Sequence, residues 1–581
     1  VTLALVGLSV ALPRGGHLVP VLQDISLSVA PGEILAIVGE SGSGKTTAAL
    51  AILKLLPPGA SFAGRILLDG EDIAPLPEAA MRRRRGARIG MVFQDPLAAL
   101  NPVLTVGAQI AEPIRVHEGA SRPAAWARAV DLLAEVGMPE PAARAREFPH
   151  MLSGGMRQRA MIAAALACGP GLLIADEPTS GLDAALAADI FALLARLRAA
   201  RGLAVLLISH DFAVVGRHAD RIAVFYAGHC VETGPAAAVL RAPLHRYTRA
   251  LLAAAPGLDG TPPTPIAGTL PEPEAWPPGC RFAPRCTEAT MDCGAAPPVL
   301  GGAGHAASCL HPGAGPAATR SPAARPKLLS GGEVLRAERL TVRYGGGVFD
   351  GPARLAVADA GFSLTRGACL GVVGASGSGK TTLARAVAQM VPYDGQVMLR
   401  GQHIGALRGA AMRVARRRIQ MVFQNPAGSL DPLQTVGAAI REALALAGDA
   451  REGRAEALLD QVGLPAALLR RYPATLSGGQ AQRAAIARAL AADPDVLLLD
   501  EPTASLDVST AAGLLCLLRD LAGSRGLAYI VITHDLAAAA FLAHRLAVMQ
   551  GGRVVETGET AALLHAPTHP CTQALVAAAR A

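Results

Sequence analysis

The stretch GESGSGKTT at 39–47 recurs as GASGSGKTT at 374–382, each time directly after a short apolar run, ILAIVG or CLGVVG. An apolar strand that runs into a glycine-rich turn and then an Ala-rich helical stretch leaves few folds open. The repetition extends well beyond the loop. RIGMVFQDPLAALNPVLTVGAQI (88–110) matches RIQMVFQNPAGSLDPLQTVGAAI (418–440), and LSGGMRQRAMIAAALA (152–167) matches LSGGQAQRAAIARALA (476–491). LLIADEPTSGLD (172–183) matches LLLDEPTASLD (497–507), and LLISHD (206–211) matches IVITHD (530–535). The last three pairs keep one constant offset, so the chain is an internal duplication.

Continuous apolar runs such as GLLIAD and VLLLD suit strands buried on both faces of a parallel sheet. Their alternation with helical stretches predicts α/β architecture, and 581 residues exceed one ordinary domain. The expected organisation is two P-loop α/β domains in tandem, 1–255 and 333–581. Each should have a mainly parallel sheet core and a helical subdomain carrying the LSGG stretch. Between them, 256–312 is a Pro- and Gly-rich extension with cysteines, and 313–332 reads as a flexible linker.

Gly39, Glu40, Ser41, Gly42, Ser43, Gly44, Lys45, Thr46 and Thr47 form a complete phosphate-binding loop. Gly374, Ala375, Ser376, Gly377, Ser378, Gly379, Lys380, Thr381 and Thr382 repeat it. Glycines let backbone N–H groups turn inward around phosphate oxygens, and the following helix adds its positive end. Lys45 and Lys380 are expected at the β- and γ-phosphates, with the Thr46 and Thr381 hydroxyls on Mg²⁺. Only four of the 54 Lys and Arg residues are lysines, and two of those four stand in these loops, as a task needing a compact point charge would require. Asp176 and Asp500 end apolar strands, where a carboxylate suits a Mg²⁺-linked role. Glu177 and Glu501, next in the chain, are candidate general bases for water.

In both halves the order is P-loop, the Gln of VFQ (Gln94, Gln424), an LSGGQ-like stretch, DEPT, S-x-L-D and a later His (His210, His534). This order resembles the ABC transporter ATPases over 1–255 and 333–581. The resemblance implies ATP as substrate, Mg²⁺ as cofactor, and two domains packed head to tail. Site one would combine Lys45, Thr46, Gln94, Asp176, Glu177 and His210 with Ser477, Gly478 and Gly479. Site two would combine Lys380, Thr381, Gln424, Asp500, Glu501 and His534 with Ser153, Gly154 and Gly155. Gln94 and Gln424 would join Mg²⁺. Tyr344 fits the family's adenine-stacking aromatic. Leu12 holds the aligned position in the first copy, which implies either weaker adenine packing or substitution by His17.

FQDPLAALNP and FQNPAGSLDP resemble the peptide/nickel importer ATPases, as do PLHRYTRALLAAAP (243–256) and PTHPCTQALVAAA (567–579). The implied function is ATP-driven uptake of di- or oligopeptides, with glutathione or nickel complexes as alternatives. The implied partners are two membrane permease subunits and an extracytoplasmic solute-binding protein. No run of about 20 apolar residues marks a membrane span, and the N-terminal stretch lacks a basic leading segment. A peripheral location on the cytoplasmic face of the inner membrane is therefore expected.

Four of the nine cysteines, Cys280, Cys286, Cys293 and Cys309, fall in the extension. Disulfides are rare in a cytosolic chain, so a metal site is the main alternative to plain thiols. The spacing alone does not choose between zinc, an iron–sulfur cluster and unligated thiols. The stretch resembles the C-terminal extension of the same importer ATPases, some of which hold a [4Fe–4S] cluster there; His305 would be a neighbour or a ligand. Cys168, Cys230, Cys369, Cys516 and Cys571 read as ordinary thiols.

The net charge of +8 and the runs MRRRRGAR (81–88) and MRVARRRI (412–419) raise a nucleic-acid reading. No aromatics interleave with these arginines, so a solvated helix face is the better account and no nucleic-acid partner is expected. A soluble tandem ABC protein acting on ribosomes or DNA is the rival class. It would not be expected to carry the FQDP-type stretches, the HRYTRALL tail or the cysteine extension.

Overall fold

A computed structural model describes residues 2–295, 304–313, 332–345, 354–449, 451–504 and 506–580. Most of the proposed linker (314–331) and Ser505 of the second S-x-L-D lie outside the described residues. The chain divides into two compact units. The first comprises the described residues within 1–182, 186–253 and 266–319, and the second those within 183–185, 254–265 and 320–581.

Each unit is α/β, as its sequence predicts. In the first, the strands Ile89–Val92, Leu172–Asp176, Ala204–Ile208, Ile34–Val38 and Arg221–Tyr226 lie side by side and run parallel. His229–Pro235 continues the sheet antiparallel. Ile34–Val38, Leu172–Asp176 and Ala204–Ile208 are buried at every residue, which is why they lack polar alternation. Burying each aliphatic side chain of this kind contributes roughly 1.5–3 kcal/mol. A second, antiparallel sheet joins His17–Val29, Leu3–Arg14, Ser61–Leu68 and Glu71–Asp72.

The second unit repeats the plan. Ile419–Val422, Val496–Asp500, Ala528–Ile532, Cys369–Gly374 and Arg545–Gln550 run parallel, with Arg553–Glu559 antiparallel at the edge. Its antiparallel sheet orders Arg354–Thr365, Glu333–Tyr344, Asp394–Leu399 and Gln402–His403.

Helix boundaries follow the caps. Thr105 accepts from Ala108 N at 3.4 Å to open Val106–Glu118, and Thr435 accepts from Ala438 N at 3.2 Å to open Val436–Ala447. Both helices stop at a left-handed glycine, Gly119 or Gly448, the usual device for ending a helix. Among the described residues, no helix is long and apolar enough to cross a membrane.

One feature distinguishes the first unit from the second. In the first, Ala306–Ala307 of the extension adds a further antiparallel strand, pairing Ala307 with Glu232 and Ala306 with Thr233. The basic runs are also anchored to their own units. Arg85 reaches Glu78 at 2.6 Å and the Leu53 carbonyl at 2.7 Å. Arg417 donates to the Ala447 carbonyl at 2.6 Å, and Arg418 lies 3.4 Å from Asp495.

Candidate functional site

In each unit the first central strand ends in a glycine that no other residue could replace without a shift. A Cβ at Gly39 (φ +153°) would lie 2.2 Å from the Phe225 carbonyl oxygen, and one at Gly374 (φ +149°) 2.2 Å from that of Met549. The loop then turns through left-handed Gly44 or Gly379 into Lys45–Ile52 or Lys380–Val387. Lys45 Nζ donates to the Gly39 and Glu40 carbonyls, both at 2.8 Å, and Lys380 Nζ to those of Gly374 and Ala375, also at 2.8 Å. Each ammonium is thus held over its own loop. Burial pushes Lys380 below the usual lysine value, against the pull of Glu501 and Asp500. The buried Ser43 and Ser378 hydroxyls have no hydrogen-bond partner in either loop, an arrangement that suits an anionic ligand. Ser41, Gly42, Ser376 and Gly377 form the exposed tips, with Thr47 and Thr382 half-buried behind them.

The acidic residues converge on these loops. Thr381 Oγ1 donates to Asp500 Oδ1 at 3.0 Å, and Thr46 is the neighbour that favours the charged form of Asp176. Burial raises both aspartates above the usual carboxylate range, and the threonines oppose it. Glu177 and Glu501 have left-handed backbones, φ 46° and 50°, a conformation costly for a non-glycine residue. Their carboxylates meet the histidines: His210 Nδ1 lies 3.1 Å from Glu177 and His534 Nδ1 2.8 Å from Glu501. Burial works against charge on each imidazole, yet the glutamate beside it holds His210 and His534 above the ordinary histidine value. Burial likewise raises Glu177, but the His210 hydrogen bond and charge carry it below the usual range. Gln94 Nε2 donates to Glu177 at 2.8 Å; Gln424 holds the matching exposed position.

Lys, Thr, Asp, Glu and His of each copy are therefore brought together, a set of groups whose chemistry suits an anion with a bound cation. The LSGG residues sit at helix N-termini. Ser153 caps Gly154–Ala165, and Ser477 caps Gly478–Leu490 with a return bond from its N–H to Gln480 Oε1 at 3.1 Å. The first copy has Met156 at that place and lacks the return bond. Ser153, Gly154, Ser477 and Gly478 are exposed, while Gly155 and Gly479 are buried. Tyr344 is 43% exposed at the end of its strand, as a stacking platform must be. Leu12 packs against the core of its unit, and His17 lies 3.7 Å from Glu274 of the extension.

Cys280, Cys286, Cys293 and Cys309 line one small cavity, walled by Phe282, Leu310 and His311. None is in a disulfide. Burial pushes the Cys280 and Cys286 thiols up, and the neighbouring cysteines add to it. Among the described residues, no three His, Cys, Asp or Glu side chains are arranged to hold a metal ion; the sulfurs surround a space without closing on it. His305 turns away from them to Glu232, Nε2 to Oε1 2.7 Å.

One contact has no trace in the motifs. Arg285, beside Cys286, forks onto the Glu40 carboxylate of the first loop at 2.7 and 3.0 Å. Chain distance hides it, and the only available signal is Glu40 standing where the second loop has Ala375.

The family model described as "ABC transporter" matches residues 22–180 and 357–504. The one described as "Oligopeptide/dipeptide transporter, C-terminal region" matches 231–293. The chain is 43% identical to the oligopeptide transport ATP-binding protein OppD of Mycobacterium tuberculosis, covering 98% of this chain and 97% of that protein. It is 40% identical to the glutathione import ATP-binding protein GsiA of Salmonella typhimurium, covering 99% and 89%. It is also 40% identical to the peptidoglycan transport ATP-binding protein YejF of Agrobacterium fabrum, covering 98% and 95%.

Proposed function

The chain belongs to the ABC transporter ATP-binding family, and from that premise we propose that it is the ATP-hydrolysing, energy-coupling subunit of an importer for di- or oligopeptides. The observation that carries the proposal is the pair of complete Lys–Thr–Asp–Glu–His clusters, followed in the first copy by an extension matching the oligopeptide/dipeptide transporter C-terminal region. The partners are two membrane permease subunits and an extracytoplasmic solute-binding protein, with the chain on the cytoplasmic face of the membrane. The glutathione-import relative makes that tripeptide the second candidate solute.

The residues divide the work. Lys45 and Lys380, with the loop amides, bind and orient the β- and γ-phosphates. Glu177 and Glu501 accept the proton of the attacking water, and His210 and His534 hold those carboxylates in place. The exposed Ser153 and Gly154 with Gly155, and Ser477 and Gly478 with Gly479, donate to the γ-phosphate from helix N-termini. Mg²⁺ would be held by Thr46, Gln94 and Asp176 in the first copy and by Thr381, Gln424 and Asp500 in the second. When bound, it neutralises charge on the β- and γ-oxygens. Tyr344 stacks adenine in the second copy.

For the cysteines, the same reading extends to a [4Fe–4S] cluster on Cys280, Cys286, Cys293 and Cys309, with zinc as the competing occupant. The four thiols lining one cavity match the number of thiolates such a cluster takes, while their present arrangement is not that of a metal-holding group.

The test of the function is to purify the chain with its permeases. ATP hydrolysis should rise when the solute-binding protein is loaded with a dipeptide, an oligopeptide or glutathione, and the stimulating ligand names the solute. A chain that never joins permeases and sediments with ribosomes overturns the proposal. Glu177→Gln and Glu501→Gln are each expected to slow hydrolysis by roughly 10²-fold at the affected site while ATP still binds; a parental rate in either removes that glutamate from its role. Ser477→Arg should lower turnover without reducing the unfolding free energy by more than a lost helix cap does, about 1 kcal/mol. Anaerobically prepared chain should contain about four irons and four labile sulfides, lost in Cys286→Ser. Stoichiometric zinc would replace the cluster assignment, and neither metal would leave plain thiols.

A further inference from the structure

Glu40 is an odd residue for its position. It lies inside a loop whose amides and lysine are arranged for an anion, yet it brings a carboxylate of its own. A negative charge there opposes phosphate binding, and burial magnifies the effect. The structure shows how the charge is met. Arg285 Nη1 and Nη2 donate to the two Glu40 oxygens at 2.7 and 3.0 Å, with the two side chains only 5% and 7% exposed. The same Nη1 lies 3.3 Å from the Tyr226 hydroxyl, and Arg285 Nε donates to the Ala267 carbonyl at 2.9 Å. The Glu40 N–H donates to the Tyr247 hydroxyl at 2.9 Å. Glu40 is thus fixed at both its side chain and its backbone, while its carbonyl accepts from Lys45.

The second copy has dispensed with the whole arrangement. Glu40, Tyr226 and Tyr247 correspond to Ala375, Gln550 and Cys571. Both supporting tyrosines change together with the loop residue they support. Bidentate Arg–carboxylate pairs are among the strongest and most directional contacts available to a buried charge.

We propose that Arg285 is a positioning residue for the first nucleotide-binding loop: it neutralises and fixes Glu40, so that ATP binding at this loop, and not at the second, depends on the cysteine-bearing extension. The inference rests on the assignment of both loops to ATP. The extension thereby acts on nucleotide binding through a residue that touches neither ATP nor a cysteine ligand's sulfur.

The experiment is a double-mutant cycle on the full chain, with the second loop silenced by Lys380→Ala and ATP affinity read by a fluorescent ATP analogue. Arg285→Met should weaken binding at the first loop roughly tenfold, the scale of one charge-assisted contact, and raise KM with little change in kcat. Arg285→Lys, which keeps the charge but loses the fork, should recover part of the loss. In a Glu40→Ala background, Arg285→Met should have little further effect, because its target is gone. That double variant also removes the lone buried carboxylate, so it stays folded if the single variant does not. The proposal is overturned if Arg285→Met keeps the parental affinity, or if its loss persists undiminished in the Glu40→Ala background. It is also overturned if the loss appears equally at the second loop, measured with Lys45→Ala as the silencing change. Failure of the parent to bind ATP at either loop would instead sink the assignment of function.

Discussion

A carbonyl oxygen pressed against a glycine is the constraint from which each nucleotide site is built. Phe225 and Met549 lie one residue short of the ends of neighbouring strands, and their oxygens leave no room for a Cβ at Gly39 or Gly374. The loop must therefore leave its strand at that point, and it leaves with its amides turned inward. Everything downstream follows from this exit. The helix beginning at Lys45 or Lys380 starts where the loop closes, and its first side chain folds back over the loop carbonyls. The next, Thr46 or Thr381, faces the aspartate at the end of a nearby strand. The sheet supplies direction, the glycine supplies the bend, and the acidic strand end supplies the counterpart.

The same economy explains the strained glutamates. A residue placed just after a fully buried strand has no room to continue extended, and Glu177 and Glu501 adopt positive φ in both copies. That turn sends the carboxylate back to the histidine that follows the adjacent strand. Each N–H is retained by a carbonyl of that strand, Ile208 or Ile532, at 2.9 Å. The local cost in backbone conformation is offset by a hydrogen bond on the main chain and an ion pair on the side chain, so the carboxylate's position is determined twice.

Most of this was legible in the sequence, because the information is local. A strand, a glycine loop and a helix start occupy adjacent residues, and the duplication repeats each motif in the same order. Continuous apolar runs betrayed the buried strands, and DE at a strand end announced the acidic pair. What the sequence could not show is contact between distant segments. Arg285 and Glu40 meet across 245 positions, and GCRFAPRC is naturally read for its cysteines. His17 shows the same limit from the other side: its place near Leu12 suggests adenine, whereas its ring lies toward Glu274. The four cysteines fall between these cases. Their convergence on one cavity could be anticipated from resemblance, but no spacing rule fixed it.

The extension joins two chemistries within seven residues. Cys280 and Cys286 face the thiol cavity, while the arginine next to each reaches the ATPase body. Arg281 donates to the Ala227 carbonyl and Gln23 and stacks on Trp276 at 3.5 Å, and Arg285 holds Glu40. Phe282 forms the partition, lining the cavity and packing against Tyr226 and Tyr247 with ring centroids 5.3 and 5.4 Å away. Those two tyrosines are the ones that meet Arg285 and the Glu40 N–H. This short segment is pinned by a buried aromatic and two arginines. The lining of the thiol cavity and the first phosphate-binding loop are thus joined through Phe282, Tyr226, Tyr247 and Arg285.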